Sequence, residues 1–193
     1  MANTLLTTLD AERLRQGYAS GFWRDETLYA RAAAQAARAP HAVAVRDRRR
    51  AIGWAALVGA ADALAADLRA AGLRAGQRVA VWLPSRVETL VALLACSRDR
   101  YVCCPSLHRD HTVMEVVELA QRMRAAALIA EQGYGADAAR RDLFAEATAI
   151  PTLRRVLRLP KLDGTAVAAW AGPALEPGPE ASPAGGPDTV LYL

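Results

Sequence analysis

Few residues of this chain are of types that do chemistry, and their spacing limits what they can do. Cys103 and Cys104, followed by His108 and His111, supply the two thiolates and two imidazoles that a zinc ion takes. Neighbouring residues of a strand point to opposite faces, so both cysteines reaching one ion is awkward. Two small core residues and two surface histidines is the better reading. A Cys–His nucleophilic pair is disfavoured too, because no third group stands ready to orient the histidine. Gly72-x-x-x-Gly76 could cradle a phosphate, but it lies between a helix and a strand. A phosphate loop needs the reverse order, so that a helix N-terminus faces the anion. The run Arg46-Asp47-Arg48-Arg49-Arg50 could be a phosphate patch; between two short apolar runs it reads instead as the solvated turn of a hairpin. Lys161, the only lysine, sits in the loop Leu159-Pro160-Lys161-Leu162 with no motif around it. No catalytic residue and no metal ligand is assigned.

The elements that must hold these residues follow from periodicity. Asp10 is placed to cap a helix from Ala11 toward Tyr18, ended by Gly21. Asp25 or Thr27 starts a second helix over 28–38, which Pro40 terminates. The hairpin pairs 42–45 with 51–54. Leu57, Ala61, Leu64 and Leu68 share one face of the next helix, and Gly72 stands where a C-terminal cap belongs. The run 78–83 is apolar on both faces, as an interior strand of a parallel sheet must be. Val87, Leu90, Val91 and Leu94 give another helical face. A short strand over 101–104 is broken by Pro105. Thr112 caps a helix with Val113, Val116, Val117 and Ala120 inward. Residues 126–130 form a buried strand, 138–147 a helix and 156–159 a strand. Alternating strands and helices make an α/β fold with a mostly parallel sheet flanked by helices. The chain divides into an N-terminal helical arm (1–40), an α/β subdomain (41–171), a Pro/Gly linker (172–187) and the start of a further strand (188–193).

Composition is that of a globular chain, 53% hydrophobic and 23% charged. The net charge of +4 is interspersed, which argues against a nucleic-acid surface. No stretch of about 18 apolar residues predicts a membrane span. The first residues lack a signal peptide's basic and apolar regions. Three cysteines without framework spacing suit reduced thiols, so a cytoplasmic location is expected.

The run Gly72-Leu73-Arg74-Ala75-Gly76-Gln77-Arg78-Val79-Ala80-Val81-Trp82-Leu83-Pro84-Ser85 resembles the early signature of the AMP-binding, acyl-adenylate-forming ligases. Trp54-Ala55-Ala56-Leu57 looks like that family's helix start. Glu88 and Leu93-Leu94-Ala95-Cys96 match its next helix, and Tyr101 to Leu107 its small-residue strand and Pro-containing turn. The details look most like the alicyclic or medium-chain acyl-CoA ligase branch. Arg100 departs from the pattern, standing where the family usually has Gly; a turn there with positive φ would be strained. Asp188-Thr189-Val190-Leu191-Tyr192-Leu193 resembles the strand that leads into the family's Ser/Thr/Gly-rich phosphate loop.

The resemblance implies an N-terminal subdomain of an enzyme that turns a carboxylate and ATP into an acyl adenylate and passes the acyl group to coenzyme A. ATP, Mg²⁺ and coenzyme A are the implied cofactors. The phosphate loop and catalytic lysine belong to later parts of the family's sequence, so this segment alone is expected to be inactive. By its place after Pro105-Ser106-Leu107-His108, Arg109 matches a basic position that in some members contacts a coenzyme A phosphate. The expected partner is the remainder of a split ligase, or a second copy met through an exposed sheet surface. The alternative is a non-catalytic module that binds a full-length ligase or another protein.

Overall fold

The computed structural model describes residues 10–106 and 108–162. The expected linker (172–187) and terminal strand (188–193) lie outside the described residues.

Local chemistry starts each helix. Asp10 accepts from the backbone N–H of Arg13 (2.8 Å) and opens α1 (Ala11–Ala19). Thr27 does the same for Ala30 (3.0 Å) and opens α2 (Leu28–Arg38). The hairpin is β1 (Val43–Arg46) against β2 (Ala51–Gly53), antiparallel. α3 (Trp54–Ala70) follows and turns out of its helix at Gly72, whose φ of +80° suits a residue without Cβ. Then come β3 (Arg78–Trp82), α4 (Val87–Asp99), β4 (Val102–Ser106), α5 (Val113–Arg122) and β5 (Ala127–Glu131). α6 (Leu143–Glu146), a short 3₁₀ turn (Ala147–Ala149) and β6 (Arg155–Leu159) complete the described chain. A full capping box holds the start of α5: Thr112 Oγ1 accepts from Glu115 N–H, and the Glu115 carboxylate accepts from Thr112 N–H at 2.7 Å.

The sheet is parallel throughout, in the order β4-β3-β5-β6. Alternate residues of each strand feed two cores. Val79, Val81, Cys103, Ala127, Ile129, Leu157 and Leu159 pack under α2, α3 and α4. Ala80, Trp82, Leu128 and Ala130 pack under α5 and α6. Helix α2 is part of the first layer, with Ala32 in its core.

Three expectations need correction. Pro105 does not break β4, which runs through it to Ser106. Among the described residues β4 is an edge strand, where a missing N–H can go unfelt. The helix expected over 138–147 shrinks to four residues, because Asp142 caps Phe144 N–H at 2.9 Å and restarts the chain there. The hairpin turn is not simply solvated: Arg48 and Arg49 are exposed, but Arg50 is buried and so is the Asp47 side chain.

Candidate functional site

From β3 the chain moves to β4 on one side, then returns past β3 to β5 on the other. Helices α4 and α5 therefore cover opposite faces. In sheets wound this way, the crevice at the carboxyl ends of the strands beside the switch point is the usual ligand site. Here that crevice, between the ends of β3 and β5, is filled by the chain itself. Trp82 meets Tyr134 edge-on, with ring centroids 5.5 Å apart, and its indole N–H donates to the His108 carbonyl at 3.0 Å. The Gly135 backbone lies so close that a Cβ there would stand 2.4 Å from the Trp82 ring. Beyond the rings, Arg86 Nη1 donates to Glu131 Oε2 (2.7 Å) and to the Pro160 carbonyl (2.9 Å), tying the ends of β3, β5 and β6 together.

That contact belongs to a chain of buried charges. Arg86 Nε donates to Glu88 Oε2 at 2.7 Å, on the first turn of α4. Glu88, fully buried, also takes a two-pronged grip from Arg50 (2.7 and 2.8 Å). Arg50 in turn binds the Asp47 carboxylate. Asp47 accepts from the backbone N–H groups of Arg49 and Arg50 (3.0 Å each) and of Val87 (3.2 Å). Burial pushes the Asp47 carboxyl up, but the Arg50 hydrogen bond and these backbone donors outweigh it and hold it at about 2. The Glu88 hydrogen bond raises Arg50 above its usual range. Each charge in the network has a partner, so it locks the hairpin, α4 and the sheet in register. It offers no free cation to a phosphate.

Open space lies on the other side of β3. A cavity of about 540 Å³ is bounded by Ser85 and Arg86 after β3, by Thr89, Leu90 and Leu93 on α4, and by Pro105, Ser106 and His108 at the end of β4. Thr89 and Ser106 line it, but their hydroxyl oxygens are turned away from accessible space and have no hydrogen-bond partner.

The residues singled out in the sequence are dispersed. Arg109 is exposed in the turn between β4 and α5. Its charge acts on Tyr134, whose hydroxyl is raised by burial and pulled back by Arg109. Cys103 lies in the core under α4, while Cys104, next along the strand, falls on the alternate face. Burial pushes the Cys104 thiol up to about 11, and burial with the neighbouring Cys103 raises Cys96 well above its usual range. Such thiols are poor nucleophiles and poor metal ligands. The rings of His108 and His111 meet edge-on, 5.5 Å apart. No group of three or more His, Cys, Asp or Glu side chains suited to a metal occurs among the described residues. Lys161 is exposed, its side chain lying over Gly133 in the loop after β5. Arg100 does take a left-handed conformation, φ +60°, at the end of α4. No helix of the described residues is long and apolar enough to cross a membrane.

Sequence reading missed Arg86, Glu131, Thr89 and Ser106. Arg86 could have been flagged, being a charged residue two positions before Glu88, between an apolar strand and an apolar helix face. Nothing in the sequence places Glu131 beside Arg86, since 45 residues separate them.

Comparison with known proteins gives a consistent picture. The profile of a family described as AMP-binding enzyme matches residues 32–193. The chain is 35% identical over 97 residues to pyochelin synthase PchD of Pseudomonas aeruginosa (strain UCBPP-PA14), covering 49% of this chain and 18% of that protein. It superposes on apo MbtA of Mycobacterium smegmatis with a TM-score of 0.66 and 31% identity, over 92% of this chain and 33% of MbtA. Coronafacic acid ligase of Pectobacterium brasiliense shares the fold at 17% identity, with a TM-score of 0.59, over 69% of this chain and 26% of the ligase. The chain thus spans a third or less of the length of these relatives.

Proposed function

The chain belongs to the AMP-binding enzyme family, and from that premise we propose that it serves as the N-terminal lobe of an adenylate-forming ligase that joins a carboxylate to AMP. The observation that carries this is the match of fold and sequence together: 31% identity to MbtA over 92% of the chain, with a parallel sheet in place. The lobe's contribution is a rigid scaffold. Its switch-point crevice is packed with side chains, and among the described residues no glycine-rich loop runs from a strand into a helix. ATP and Mg²⁺ are therefore held by other parts of the enzyme, which cover the open edge of β4 whether they share this polypeptide or form a separate one. The proposal centres on the adenylation half-reaction. Transfer to coenzyme A is its finer part and rests on Arg109, exposed at the carboxyl end of the sheet.

The test is carboxylate-dependent ATP–pyrophosphate exchange. The chain is assayed alone and expressed together with the coding sequence that follows Leu193. Exchange that needs both is the expected result. Exchange by the chain alone, or none with both present, would overturn the reading. In an active assembly, Arg109→Ala should raise the KM for coenzyme A while leaving the exchange rate unchanged.

A further inference from the structure

The loops at the amino ends of the strands carry a charge that nothing in the fold answers. Arg78 opens β3, Arg74 and Arg100 precede β3 and β4, Arg124 precedes β5 and Arg154 precedes β6. The strands start level, with Arg78 beside Val102, Val79 beside Ala127 and Ala127 beside Arg155, so the five arginines follow one edge of the sheet. Loop contacts hold them there. The Gly76 N–H donates to the Arg100 carbonyl (2.7 Å), Arg78 Nη1 to the Met123 carbonyl (3.0 Å) and Arg154 Nη1 to the Gly72 carbonyl (2.7 Å). Arg74, Arg124 and Arg154 are exposed, and Arg78 and Arg100 are half-buried. Among the described residues no carboxylate pairs with any of the five. The carboxylates beside them are already taken: Asp67 holds Arg155, and Asp99 holds Arg69 and Arg98.

Helix dipoles do not account for the row. α3, α4 and α5 end here, and a cation suits a helix C-terminus, but each already has one in its last turn: Arg69, Arg98 and Arg122. The backbone points the same way. Arg100 and Arg124 are the two described residues other than glycine with positive φ, at 60° and 53°. Both follow a helix, where glycine is the common choice because it has no Cβ to strain. At both the chain carries arginine instead, and strain of this kind gathers at functional sites.

From this we infer that the amino end of the sheet is a docking surface for an acidic α-helix of a partner protein. Neighbouring strands lie about 4.8 Å apart, so four of them present cations over about 14 Å. Carboxylates three or four residues apart stand about 5–6 Å apart along one face of a helix, and about ten helical residues span that row. A duplex strand carries a phosphate every ~3.4 Å of its axis, a poorer match. Guanidinium forks take carboxylates through paired hydrogen bonds. The surface lies at the opposite end of the sheet from the two crevices, so a partner held here leaves them clear, whether or not the ligase reading holds.

The experiment follows the fluorescence anisotropy of a labelled alanine-rich helical peptide with glutamates four residues apart, titrated with the full chain at low and at physiological ionic strength. A second peptide of the same composition has its glutamates two residues apart, so that they do not share a face. The first should bind more tightly than the second and lose affinity as salt rises. The double variant Arg100→Gly, Arg124→Gly removes two cations and relieves two strained positions. It should bind the first peptide about tenfold more weakly while melting at a higher temperature. Arg48→Gln, an exposed arginine of the hairpin turn at the other end of the sheet, should bind as the parent does. Equal binding of the two peptides, unchanged affinity in the double variant, or an equal loss in Arg48→Gln would each overturn the inference. So would tighter binding of a DNA duplex or of phosphatidylglycerol vesicles at the same ionic strength, or a salt-sensitive dimer of the chain that depends on the same two arginines.

Discussion

The two crevices at the carboxyl end of this sheet lie on either side of β3 and share Arg86, yet they are built in opposite ways. Between β3 and β5 each charged group has a partner, and two aromatic rings fill the remaining space. Between β3 and β4 Leu90, Leu93 and Pro105 share the lining with polar residues, and the buried hydroxyls of Thr89 and Ser106 have no partner. The filled crevice fixes geometry, because a buried charge that loses its partner is costly and the network has one arrangement that satisfies it. The other leaves two buried hydroxyls unpaired, at a cost in stability. A fold that places ligands at the ends of its strands has here closed one such position with its own side chains and left its neighbour open.

If the filled crevice is what locks the lobe, the largest effect comes from removing its centre. Glu88→Ala leaves Arg50 and Arg86 buried with their shared carboxylate gone, and stability should fall by about 3–5 kcal/mol in urea unfolding. A loss under about 1 kcal/mol would mean that the network is decorative and the comparison fails. Gly135→Ala tests the aromatic half of the same crevice. At φ +130° and 2.4 Å from the Trp82 ring, a methyl group brings both backbone strain and a clash. A loss of about 2–3 kcal/mol is expected, with a change in the near-UV circular dichroism of Trp82.

Acid probes the far end of the network. Asp47 is held at about 2, against an ordinary 3.8. A carboxyl depressed in the folded state contributes stability that is fully present above the unfolded value and is lost as pH falls through the folded one. Asp47 should thus contribute about 2 kcal/mol above pH 4, lost progressively between about pH 4 and pH 2. Asp47→Asn should remove that part of the acid slope. A slope unchanged in the variant would place the titration elsewhere.

What could be read in advance follows the range of the interactions. Caps at Asp10, Thr27 and Thr112 and the two-faced apolar strand β3 are local signals, and the structure repeats them. Arg100, where the resembled family usually has Gly, does stand at a left-handed turn, which meets the condition for strain set out from the sequence. Pro105 was misread because only the sheet order shows that β4 is an edge. The helix expected over 138–147 is shorter because Asp142, within that span, caps a new start at Phe144 N–H. Both crevices were invisible. Arg50 meets Glu88 across 38 residues and Arg86 meets Glu131 across 45, and no spacing rule encodes such pairs. A charge run in a hairpin turn is ordinarily solvated, so burial of Arg50 depends on α4 arriving with a carboxylate.

The smallest effect should carry the opposite sign, which makes it the sharpest test of the contrast. Thr89→Val replaces a hydroxyl by a methyl of the same shape, in a wall where that hydroxyl has no partner. A satisfied hydroxyl would be missed, and the chain would lose about 1 kcal/mol. An unsatisfied one carries a desolvation cost that the methyl relieves, so the variant should gain about 1 kcal/mol and melt a few degrees higher. In the filled crevice deleting a polar group weakens the fold; beside β4 it should strengthen it. A stabilised Thr89→Val would mean that the Thr89 hydroxyl carries a desolvation cost that nothing in the fold repays, the reverse of the paired charges across β3.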